Sequence, residues 1–98
     1  MEYRTHNQEH INVNGSSYKG EITTTYAKLV ELFGEPSKNS GDGKVDVNWK
    51  IEFENGTVAN IYNWKNGVKY GNSDIESITE WTIGGYKSEC VNLIKELI

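Results

Sequence analysis

Few residues here have the types and spacing that chemistry demands. His6 and His10 stand four apart, a spacing that suits two metal ligands only on one face of a helix. No third ligand and no helix-borne glutamate accompanies them, so they read as exposed polar residues. Cys90 is the one cysteine, set in an apolar stripe with no basic neighbour to lower its pKa. It is expected to be a packed thiol, not a nucleophile. Gly41-Asp42-Gly43 lacks both the Lys-Ser/Thr of a phosphate loop and the spaced acids of a Ca²⁺ loop. Gly84-Gly85, read as a turn into the last helix, would offer backbone N–H groups to an anion there. Tight packing asks for the same two residues. There is no Ser–His–Asp set, no metal constellation and no Rossmann or Walker glycine motif. The expectation is a binding protein and not an enzyme, with no metal and no cofactor.

The bounds agree with a small binding domain. Ninety-eight residues make a single domain that needs no staple, and one cysteine excludes an internal disulfide and fits a reducing cytoplasm. No apolar run approaches the roughly 18 residues of a membrane span. Ten basic against fourteen acidic residues give a net charge of −4, which would repel a phosphate backbone and argues against direct nucleic-acid binding. Three Trp and six Tyr are many for this length, a surplus that serves cores and binding surfaces alike.

The elements that must position any site are easier to read. In residues 45–64, VDVNWKIEFENGTVANIYNW, the apolar Val45, Val47, Trp49, Ile51 and Phe53 alternate with Asp46, Asn48, Lys50 and Glu52. That is a strand with one apolar and one wet face. Asn55-Gly56 turns it into a second strand rich in β-branched and aromatic residues. A two-residue turn pairs Phe53 with Val58 and Trp49 with Tyr62, which buries Tyr62 and Trp64. A three-residue loop with a bulge at Gly56 slips the register by one, buries Ala59 and Ile61 and displays the two aromatics. The tight turn is the preferred reading.

Residues 1–9 show no periodicity and read as a flexible leader. Around Asn14-Gly15 a smaller hairpin is expected, with Ile11 facing Tyr18 and Val13 facing Ser16. A helix over residues 25–33 starts at the threonine cap and ends at Gly34 before Pro36; its stripe is Tyr26, Leu29, Val30 and Phe33. Residues 37–44 form a connecting loop and residues 65–72 a long turn. A strand is expected over residues 75–83 and a final helix over 86–97 with the stripe Tyr86, Cys90, Leu93, Ile94 and Leu97. The order predicts an α+β fold, a small antiparallel β-sheet with two α-helices packed on one face.

Three segments carry a resemblance: TYAKLVELFGEP at residues 25–36, WKIEFENGTVANIYNWK at 49–65 and WTIGG at 81–85. Together they resemble a family of small proteins encoded mainly by bacteriophages, over residues 11–97. The resemblance implies an accessory protein of the infected bacterial cytoplasm, similar to inhibitors of host defence such as anti-CRISPR proteins. It assigns no residue roles. The expected partner is then a bacterial defence protein or complex, with no direct nucleic acid and no membrane; self-association stays open. Candidate binding residues are the aromatics Trp64 and Tyr70, as an exposed rim, and the acids Glu52, Glu54, Asp74, Glu76 and Glu80, which would compete for a nucleic-acid-binding groove. The alternatives are a nucleotide sponge, stacking Trp and Tyr near Lys65, Lys69 and Gly84-Gly85, and a structural or regulatory phage component.

Overall fold

The computed structural model describes residues 2–38, 44–67, 70–71 and 74–98. The Gly41-Asp42-Gly43 loop, Val68 and Lys69 lie outside them. The described chain is an α+β fold, a six-stranded antiparallel sheet with two α-helices. Its strands are β1 (Tyr3–Thr5), β2 (Ser17–Thr23), β3 (Ser37–Lys38), β4 (Val47–Phe53), β5 (Val58–Tyr62) and β6 (Glu80–Gly85). They lie in the order β1-β4-β5-β6-β2, with β3 pairing the start of β4 beside β1. The helices α1 (Tyr26–Phe33) and α2 (Glu89–Leu97) share one core with the sheet.

The register of the central hairpin corrects the tight-turn reading. Glu52 pairs Val58, Ile51 pairs Ala59 and Trp49 pairs Ile61. Glu54, Asn55 and Gly56 form a three-residue loop. The Gly56 N–H donates to the Phe53 carbonyl, and the Phe53 N–H to the Thr57 carbonyl. Gly56 takes φ +87°, the left-handed conformation that a bulge at this position requires. Ala59 and Ile61 are therefore fully buried, and Tyr62 and Trp64 face away from the helices.

Asn63 locks this register. It is wholly buried, its Oδ1 accepts from the Asp46 and Val47 N–H groups at 2.9 and 3.1 Å, and its Nδ2 donates to Asp46 Oδ2 at 3.0 Å. The core beneath is aromatic. Trp49 and Trp81 meet edge to face with centroids 5.4 Å apart, and Tyr26 of α1 packs on both.

Helix α1 forms as expected, with Thr25 Oγ1 accepting from the Lys28 N–H and Gly34 ending it at φ +81°. The leader does not read as expected: Tyr3–Thr5 is a strand on β4. Its side chains and Trp49 satisfy four consecutive carbonyls at the end of α1. Tyr3 OH donates to Leu32 O at 2.8 Å, Asn7 Nδ2 to Phe33 O at 3.3 Å and Trp49 Nε1 to Gly34 O at 2.8 Å. Glu35 O receives Asn7 Nδ2 and bonds His6 Nε2, both at 2.9 Å.

Three further expectations change. The Asn14-Gly15 turn exists, but no ladder closes behind it; β2 pairs with β6, Ile11 is buried and Tyr18 is exposed. Residues 75–77 are a 3₁₀ turn, not strand, because the Asp74 carboxylate accepts from the Glu76 N–H and Ser77 Oγ donates to Asp74 O. Strand β6 starts at Glu80 and runs through Gly84 and Gly85, so α2 begins only at Glu89. Tyr86 is accordingly outside the helical stripe, its hydroxyl donating to Asn14 O at 2.7 Å.

Two stability effects follow. Asn63→Ala takes the acceptor from the buried Val47 N–H and the half-buried Asp46 N–H and is expected to cost about 2–4 kcal/mol in urea unfolding. Asn7→Ala removes its bonds to the Phe33 carbonyl of α1 and the Glu35 carbonyl just beyond it, and is expected to cost about 1–2 kcal/mol with an unchanged m-value.

Candidate functional site

Because both helices cover the same face, strand alternation sends Asn48, Lys50 and Glu52 of β4 to the other. Asn60 and Tyr62 of β5, Thr82 and Gly84 of β6, and Tyr18 of β2 join them by register. Asn48 pairs Tyr62, and Asn60 pairs Gly84, so these four side-chain positions are adjacent across three strands.

Between them lies a groove of about 280 Å³, closed by Trp64 beyond the end of β5 and by Ser16 and Ser17 at the start of β2. Asn48 Nδ2 donates to Asn60 Oδ1 at 3.1 Å along the groove. Tyr62 and Trp64 meet edge to face at 6.5 Å, and Lys65 Nζ lies 5.5 Å from the Trp64 ring centroid. Trp64 stays 49% exposed, whereas Trp49 and Trp81 are buried. Burial, and then the neighbouring Tyr18 phenol, push the Tyr62 hydroxyl above the ordinary tyrosine range.

Tyr62 lies beside Gly84 without demanding a glycine there. A Cβ there would meet Tyr62 Cε1 and Ser17 O at 3.4 Å. Gly85 points to the opposite face, where a Cβ would come within 2.7 Å of Cys90 Sγ and 2.9 Å of Val58 O. Of the pair, Gly85 is the one that packing requires. The pair lies inside a strand, away from the start of α2, where Glu89 supplies a carboxylate and accepts from Thr57 Oγ1. Cys90 is fully buried, and desolvation raises its pKa, as a packed thiol requires. Among the described residues, no cluster of three or more His, Cys, Asp or Glu side chains could hold a metal ion, and no helix is long and apolar enough to cross a membrane.

The seven residues singled out in the sequence are not brought together. Glu52 and Glu54 line a concavity with Glu2 at the hairpin end of the sheet, where Arg4 pairs with Glu52 at 3.0 Å. Glu80 lies at the other end, accepting from Thr23 Oγ1. Asp74 and Glu76 sit on the 3₁₀ turn that packs against α1. Trp64 and Tyr70 are both exposed, but Trp64 has its ring contact with Tyr62. Asn48, Asn60, Tyr62 and Tyr18 escaped the sequence reading. The slipped register would have singled out Tyr62; nothing in spacing alone pointed to the asparagines.

No protein-family model matches the chain, and comparisons with curated proteins and with solved structures find no similar one.

The two glycines separate cleanly in a test. Gly85→Ala drives a methyl into Cys90 and the Val58 backbone and is expected to lower stability by about 1–3 kcal/mol. Gly84→Ala makes only ordinary van der Waals contacts and is expected to stay within about 1 kcal/mol of the parent by thermal unfolding.

Proposed function

We propose that the chain is a binding protein without catalytic activity, and that the open sheet face is its working surface. The observation that carries this reading is a half-exposed indole just beyond the end of β5, set against the open face of the sheet. Trp64 is held by Tyr62 and Lys65, with Tyr18 exposed two strands away. Large aromatic side chains that lose little freedom on binding are the residues that most often dominate interfaces. A well-formed sheet holds them in place without help from a partner.

The partner class in this proposal is a bacterial defence protein such as a CRISPR–Cas component, encountered in the cytoplasm of an infected cell. It rests on the resemblance of residues 25–36, 49–65 and 81–85 to small phage proteins, and on nothing else. Direct nucleic-acid contact has no place in it, given the net charge of −4. Mimicry of a nucleic acid by Glu52, Glu54, Asp74, Glu76 and Glu80 draws less support. The acids are dispersed over both ends of the sheet, and Glu52 already has Arg4 as a partner. A small-ligand reading is favoured by one observation of its own, the groove beside Trp64.

Native mass spectrometry of the protein captured from a lysate holding several defence systems tests the proposal. A stoichiometric protein partner is expected, with affinity falling by about 2 kcal/mol or more for Trp64→Ala and little for charge reversal of the five acids. A partner lost on charge reversal but kept by Trp64→Ala would move the interface to the acidic ends. Absence of any protein partner would overturn the reading.

A further inference from the structure

The groove beside Trp64 has the makings of a ligand site, and what lines it limits the ligand. The 3.1 Å bond from Asn48 Nδ2 to Asn60 Oδ1 orients both amides. It leaves Asn48 Oδ1 as an acceptor and Asn60 Nδ2 as a donor, and neither takes a partner among the described residues. The Tyr62 hydroxyl has none there either. Asn48 is 5% exposed, yet its Oδ1 is not a buried unpartnered atom, so the little of this side chain that reaches solvent includes the acceptor that faces the groove. The half-exposed indole of Trp64 adds an apolar plane to the same space.

Charge is the discriminating feature. No charged side chain lines the groove. The nearest cations stand at its rim, Lys19 Nζ donating to Ser17 Oγ at 2.9 Å and Lys65 over the Trp64 ring, so the floor made by Asn48, Asn60 and Tyr62 offers an anion no counter-charge.

We propose that this groove binds a neutral saccharide, with one pyranose ring against the Trp64 indole and its hydroxyls on the Asn48–Asn60 amides and the Tyr62 hydroxyl. Sugar hydroxyls both donate and accept, which matches an exposed acceptor beside an exposed donor. The C–H face of a pyranose is apolar and matches an aromatic plane. A volume of about 280 Å³ admits a single ring and leaves any further sugar units in solvent. The inference goes beyond the protein-binding reading and does not rest on it.

The test titrates the intact protein with methyl β-D-glucopyranoside, methyl α-D-mannopyranoside and N-acetylglucosamine, with AMP as the charged comparator. Trp49 and Trp81 are buried, so a change in tryptophan emission reports on Trp64. Calorimetry provides a second readout that does not need the indole. Saturable binding of at least one sugar is expected. It should weaken by about tenfold in Asn60→Ala and in Tyr62→Phe, which keeps the ring, and vanish by calorimetry in Trp64→Ala. Circular dichroism melts should place all three variants near the parent. Three results would each overturn the proposal: no saturable response to any of the sugars, sugar binding unaltered in Asn60→Ala and Tyr62→Phe, or AMP binding more tightly than every sugar.

Discussion

The end of helix α1 is the constraint on which the rest of the structure depends. A helix leaves its last carbonyls without intrahelical partners, and burying them unpaired is costly. Here the carbonyls of Leu32, Phe33, Gly34 and Glu35 are met by Tyr3, Asn7, Trp49 and His6. The helix entry is held in the same way, by Trp81 Nε1 donating to Thr24 O at 3.0 Å. The two buried indoles therefore do double duty. Their rings fill the space between α1 and the sheet, and their N–H groups fix where α1 begins and ends. Once α1 is pinned, the leader must lie along β4, and the helices are confined to a single side of the sheet.

That one-sidedness turns a one-residue choice at the hairpin into a functional one. With Gly56 in the left-handed region, β5 presents Ala59 and Ile61 to the core, and Tyr62 to the open face with Trp64 beyond it. A tight turn would have reversed every one of these side chains. The bulge at Gly56 and the buried Asn63 act together. The first sets the register, and the second supplies the acceptor that Asp46 and Val47 need at the far end of the hairpin.

Much of this architecture was legible in the sequence. Alternation in residues 47–53, the threonine cap and glycine stop of α1 and the apolar setting of Cys90 are local signals, and each led to the right element. The register was not legible, because each face of β5 and its extension carries an asparagine, Asn60 on one and Asn63 on the other. Choosing between them requires knowing that Asn63 meets the backbone at Asp46, seventeen positions away. The leader failed for a similar reason. Tyr3, His6 and Asn7 show no periodicity, since their role is to reach carbonyls 26 to 29 positions along the chain. The groove was illegible too. Its asparagines come from different strands and acquire meaning only where the sheet brings them side by side.

The capping of α1 by the leader has a consequence for how the chain comes off the ribosome. The leader emerges first, yet its ladder partner arrives late: Arg4 and Glu52 are 48 positions apart. Until β4 has been made, β1 has nothing to pair with and Trp49 cannot reach Gly34. An eight-residue helix without tertiary support is marginal in water, so α1 cannot persist as the nascent chain lengthens. The N-terminal half of the protein must therefore wait for its middle, and folding becomes a single event set by the delivery of the central hairpin.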